Sequence, residues 1–208
     1  MKKLKLIFFL VAVLVAELVK ADLLTDASDA YDKGEYIKAA VLFESLAEKG
    51  NVKAQAMLGI MYREGHGVQK NIPEAIRWLS LAAEQGVISA WSELGVIFIN
   101  NHSFQNYERA KELFLLAAEH VEPKAMFALG ILYYKGLGVP IDFIRAYMWF
   151  NFLMEYSSMP DRPGLLVQDA FNEARRMLNT LSKVMSHDQI NEAQALSMRC
   201  VDNRFKNC

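Results

Sequence analysis

Apolar side chains recur along this chain at helical spacing, and the helical stripes themselves recur. Ala54, Leu58 and Tyr62 stand at i, i+4 and i+8, which lines them along one face of a helix. The segment from Ala54 to Tyr62 returns as Ala90 to Phe98 and again as Ala125 to Tyr133. Each copy carries Leu-Gly with an aromatic residue three positions after the glycine: Leu58-Gly59-Tyr62, Leu94-Gly95-Phe98 and Leu129-Gly130-Tyr133. A second stripe follows each first one: Ala75, Trp78 and Ala82-Ala83; Ala110, Leu113 and Ala117-Ala118; Ala146 and Trp149. Two helices and a turn per period of nearly 36 residues predict units that bury their apolar faces by stacking on their neighbours.

The spacings locate the irregularities. Leu58 to Leu94 is 36 residues and Leu94 to Leu129 is 35. From the Leu to the following Ala the count is 17 in the first and third copies and 16 in the second. The missing residue therefore falls in the second copy's turn between helices, where a stacked array tolerates a deletion.

The residues Ala54, Leu58-Gly59, Tyr62, Gly65-His66-Gly67-Val68, Ala75, Trp78, Ala82-Ala83 and Gly86 resemble the Sel1-like repeat, a relative of the tetratricopeptide repeat. Gly136-Leu137-Gly138-Val139 with Ala146 to Trp149 carries the same resemblance, which extends from about residue 27 to residue 152. The second copy departs from it, with Asn100-Asn101-His102-Ser103 in place of Gly-x-Gly-Val. The opening unit, from Tyr31 to Ala39, has a shorter turn and is more similar to a tetratricopeptide unit. The resemblance implies an all-α fold: a right-handed α-solenoid of stacked helix-turn-helix repeats with C-terminal capping helices. The expected organisation is a leader at 1–21, an N-terminal unit at 22–53, and repeats at 54–89, 90–124 and 125–159. Capping helices and a tail follow at 160–208.

Each recurring residue has a physical task. Gly59 and its equivalents lack a Cβ and let the second helix approach closely. The Gly-x-Gly turns end the first helix, because glycine adopts the left-handed conformation that closes a helix C-terminus. They follow a helix rather than a strand and have no Lys-Ser/Thr in register, so they do not read as a phosphate loop.

The amino terminus predicts a compartment. Lys2, Lys3 and Lys5 precede an apolar run from Leu6 to Ala16, and Val19-Lys20-Ala21 offers small or short residues for cleavage before Asp22. The run is shorter than the ~20 residues a helix needs to span a bilayer. A cleavable signal peptide and a periplasmic or secreted protein with no stable membrane span are expected. Removal of residues 1–21 takes away four lysines and Glu17, so the formal net charge moves from −1 to about −4. That balance, without a Lys/Arg cluster, argues against a nucleic-acid partner.

After Ser157 to Gly164, whose prolines and glycine read as a loop, Val167, Ala170, Phe171, Ala174, Met177, Leu178 and Leu181 fall at helical spacing. Ser186-His187-Asp188-Gln189 then reads as a capping box, with Met185 and Ile190 as its hydrophobic staple. These helices are expected to cap the array, and the segment from Met185 to Ala195 also resembles the end of many bacterial Sel1-repeat proteins. The only cysteines are Cys200 and Cys208. In an oxidising compartment they are expected to form a structural disulfide, which requires the last helix to end near Val201–Asn203.

No recognisable catalytic motif is present: there is no Gly-x-Ser-x-Gly, Ser-x-x-Lys, Lys-Thr-Gly or His-Glu-x-x-His. His66, His102, His120 and His187 are expected as solvated residues of turns and helix ends, and Glu44, Glu48, Glu84 and Glu119 as solubilising residues of second helices. No metal, cofactor or catalytic residue is expected, and the chain is not expected to be an enzyme.

Analogy with tetratricopeptide units places a concave face on the first helix of each repeat. The positions are two before, two after and five after the repeat's Leu. They are Ala56, Ile60 and Arg63; Ser92, Val96 and Ile99; and Phe127, Ile131 and Tyr134. Their apolar character suits an extended peptide or a partner's helix, or else the line packs as core. The leading expectation is a secreted or periplasmic scaffold that binds a protein or peptide at the cell envelope. Two alternatives are a penicillin-, β-lactam- or peptidoglycan-related activity, and a secreted factor that engages a host surface.

Overall fold

The computed structural model describes residues 23–157 and 168–202. The leader at 1–21, most of the Ser157–Gly164 segment and Cys208 lie outside the described residues. Those described are helical throughout, with no strand. Residues 23–32 form α1, followed by α2 (Tyr36–Glu48), α3 (Val52–Glu64), α4 (Ile72–Glu84) and α5 (Ile88–Asn100). Then come α6 (Tyr107–Ala118), α7 (Pro123–Lys135), α8 (Phe143–Ser157), α9 (Gln168–Leu181) and α10 (His187–Asp202). The chain divides into two compact units, Met1–Ala90 and Trp91–Cys208, so the boundary falls near the start of α5.

In the first unit α3 packs against both α2 and α4. The core is built from the alanines, leucines and aromatics of the repeat: Ala27, Ala30, Ala39, Phe43, Leu46, Leu58, Met61 and Trp78. Gly59 lets α3 and α4 approach closely, since a Cβ there would lie 2.6 Å from Leu79 Cγ. In the second unit α7 packs against α6 and α8, and α8 is flanked by α9 and α10. A Cβ on Gly95 or Gly130 would meet the rings of Phe114 and Phe150 at 2.6 and 2.5 Å, so the sequence expectation for these glycines holds. The capping helices pack as the stripe predicts, with Phe171, Ala174 and Leu181 buried.

Four of the turns share one device. Asn51, Asn71, Asn106 and Asp142 each cap the helix that follows, accepting from the amide three residues on at 3.0, 3.2, 2.9 and 2.9 Å. Asn71, Asn106 and Asp142 also donate their own N–H to the carbonyls of Tyr62, Phe98 and Tyr133, at 2.9, 2.8 and 3.0 Å. The degenerate second turn thus closes with the same backbone bond as the two full copies. Its missing residue is absorbed between Asn100 and Asn106. Gly65 and Gly136 end α3 and α7 at φ 81° and 69°, as the Gly-x-Gly motif predicts. The capping box forms reciprocally: Gln189 N–H donates to Ser186 Oγ and Ser186 N–H to Gln189 Oε1, at 3.2 and 2.9 Å.

Candidate functional site

The predicted concave residues divide by burial. Ile60, Arg63, Val96, Ile99, Phe127, Ile131 and Tyr134 are half-buried, whereas Ala56 and Ser92 are only 7% and 1% exposed. The residues one position on from the aliphatic line, Met61, Ile97 and Leu132, face the core. Phe127 and Tyr134 lean on α8, with ring centroids 5.8 Å from Phe150 and 5.9 Å from Phe143.

In the first unit this lining opens into a cleft of about 440 Å³. Ala56, Met57 and Ile60 of α3 meet Leu24 of α1, Phe43 of α2 and Val87 there, and Thr25, Ser28, Lys53 and Ser89 stand at its rim. All four rim residues are exposed. Ala56 is thus both buried and part of the floor. Thr25 and Ser28 were missed by the sequence because the concave positions were carried over for the Sel1-like repeats and not for α1, and Lys53 and Ser89 because they fall outside the three positions carried over per repeat.

The second unit fills the matching positions with polar contacts. Ala56, Met57, Val87 and Ser89 correspond by the repeat period to Ser92, Glu93, Glu122 and Lys124. Ser92 Oγ donates to Glu122 Oε2 at 2.8 Å, and Lys124 Nζ pairs with Glu93 Oε1 at 3.1 Å. Glu122 also caps α7, accepting from the Ala125 amide at 2.6 Å. Burial holds its carboxyl above the ordinary value, against those two hydrogen bonds and the Lys124 charge. The preceding residue, Val121, sits at φ 59° where the sister turns place Gly50 and Gly86 at 82° and 84°. A β-branched residue is strained there. The same register is an open apolar cleft in one unit and a closed polar node in the other.

A second cleft of about 990 Å³ lies on the turn side of the first unit, lined by Gly34 to Lys38, Val41, Leu42 and the Gly65–Gln69 turn. Ile37 and Val41 are 74% and 63% exposed beside it. His66 overturns its expectation as a solvated residue. Its ring stacks on Tyr36 with centroids 4.4 Å apart, and Nδ1 lies 3.1 Å from the Tyr31 hydroxyl. A half-buried turn between two tyrosines gives it packing partners that chain position alone does not reveal. His120 stacks on Trp91 at 5.7 Å but stays exposed, as expected. Among the described residues no group of three or more His, Cys, Asp or Glu side chains is arranged to hold a metal, and no helix is long and apolar enough to cross a membrane.

Cys200 is 3% exposed, with Sγ 3.5 Å from Met148 Sδ.

The Sel1 repeat family model matches residues 52–87, 101–120 and 123–151. This chain carries Sel1 repeats, and its fold is that of an all-α Sel1-repeat scaffold. A solved Sel1 repeat protein from Oxalobacter formigenes aligns over 85% of this chain and 75% of its own, at 24% identity and a TM-score of 0.57. A protective antigen of uropathogenic Escherichia coli with the same class of fold aligns over 81% of this chain and 42% of its own, at 27% identity and a TM-score of 0.54. In sequence the chain is 33% identical over 113 residues to HRD3B of Arabidopsis thaliana, a component of an ERAD-associated E3 ubiquitin-protein ligase. That match covers 53% of this chain and 18% of HRD3B, and the chain spans less than a third of the length of the curated relatives it matches.

Proposed function

We propose that this chain is a scaffold that binds a protein or peptide partner and is exported to the periplasm or the cell exterior, where it acts at the envelope by binding rather than by catalysis. The observation that carries the binding reading is the 440 Å³ cleft, whose floor is apolar and whose rim is exposed. A groove of that composition takes up a partner's side chains without repacking the core. The plant relative's role as a component of a ligase assembly agrees with a scaffold. Export rests on the Lys-rich start, the apolar run and the Val19-Lys20-Ala21 site.

Photo-crosslinking in intact cells tests both halves. Probes at Ile60, Phe127, Ile131 and Tyr134 are expected to give a discrete adduct, while probes at the exposed Glu84 and Glu119 give none. Fractionation of the same cells is expected to place the adduct in periplasm or medium, on a chain that begins at Asp22. Equal labelling from both sets rejects the groove, and an uncleaved cytoplasmic chain rejects export.

A further inference from the structure

The chemistry of the rim narrows the partner. Lys53 is the one charged residue among those lining the 440 Å³ cleft, and it makes no ion pair or hydrogen bond with any described residue. The other rim groups are the hydroxyls of Thr25, Ser28 and Ser89. The second unit shows what a lysine at this place in the repeat does when a carboxylate is within reach. Lys124, the second residue of α7 as Lys53 is of α3, pairs at 3.1 Å with Glu93, which is itself buried at 7% exposure. Glu93 stands on α5, the first helix of the repeat before α7, and the helix in that place before α3 is α1. Asp26 of α1 is exposed and stays outside ion-pair distance of Lys53. The floor meanwhile runs from Lys53 along α3 to Ile60, seven residues or about 10 Å, enough for adjacent side chains of an extended peptide.

Building on the scaffold reading, we infer that the cleft takes an internal segment of a partner chain in which an aliphatic side chain neighbours an aspartate or glutamate. The aliphatic group lies on Ala56, Met57 and Ile60, and the carboxylate completes at Lys53 the pair that Glu93 completes at Lys124. The exposed rim holds the acid at an open edge, which does not require the bound chain to end there. The helix dipole at the start of α3 adds charge of the same sign as Lys53.

The test is selection of random heptapeptides, displayed with their C-termini fused, on the mature full-length chain and on its Lys53→Glu, Lys53→Ala and Lys53→Arg variants. Lys53 is exposed, so these variants are expected to fold, with circular dichroism as the check. The wild-type chain is expected to recover peptides that join Leu, Ile or Val to Asp or Glu, and Lys53→Glu to recover Lys- or Arg-bearing peptides instead. Replacing the acid by its amide in the best synthetic peptide is expected to weaken wild-type binding about twofold to fivefold, the range for an exposed ion pair. That discrimination should vanish in Lys53→Ala and survive in Lys53→Arg. Apolar peptides without acidic bias, or discrimination that Lys53→Ala leaves intact, overturn the acid inference while the cleft still binds. Recovery no better than background on every folded variant overturns the inference together with the cleft as a binding site.

Discussion

Residue by residue, the repeat is a template whose positions accept different chemistry. The place held by Gln55 and Gln85, whose amides bond at 2.7 Å, is held one repeat later by the stacked rings of Trp91 and His120. The place of Ala56 and Val87 is taken by Ser92 and Glu122, which converts an apolar contact into a buried hydrogen bond. Glu122 bears the cost, because desolvation raises its pKa in the fold above the ordinary 4.5. The folded state then holds a proton more tightly than the unfolded chain, so this group lowers stability as pH rises through its folded value. Glu122→Gln keeps an oxygen for the Ala125 amide and for Ser92 without the charge. Its urea midpoint is expected above that of the wild type at pH 7, with the gap closing as pH falls towards 4.5. A gap independent of pH would assign the effect to something other than ionisation.

At the scale of elements, helix pairs are set by what is missing as much as by what is present. Gly130 lies in the middle of α7, where alanine is the better helix former by about 1 kcal/mol. Its site is nonetheless closed, since an added Cβ would lie 2.5 to 2.8 Å from three atoms of the Phe150 ring. Phe150 is fully buried and cannot swing away. Gly130→Ala is therefore expected to lower stability by about 1–2 kcal/mol after its helix-propensity gain, as read by denaturant unfolding. An increase in stability would mean that α7 and α8 can separate freely. The Gly-x-Gly helix ends were readable in the sequence because a positive-φ glycine is a local device that acts within a few residues, whereas the Asn and Asp caps, equally local, emerge only in the structure. Val121 was not readable as strained, because nothing in its own type announces that the turn demands a left-handed residue there.

Across the whole molecule, stacking makes the α-solenoid class legible from one chain. The period identifies the unit, and the apolar stripes identify what each unit must cover. The tail carries a prediction of its own. If Cys200 pairs with Cys208, non-reduced protein is expected to weigh 2 Da less than reduced protein, and reduction should remove roughly 2–3 kcal/mol. Equal masses would reject the pairing. Periodicity by itself determined the helices of the repeats, their order and the close-packing glycines, because these depend on contacts a few residues or one period away. Tertiary structure alone decided that Ser92 is spent on Glu122, that His66 is held between two tyrosines, and that the first unit leaves a cleft beside Lys53, which has no ion pair among the described residues. Those outcomes depend on side chains from different helices meeting in space, and a repeat pattern conveys the meeting place without the chemistry that fills it.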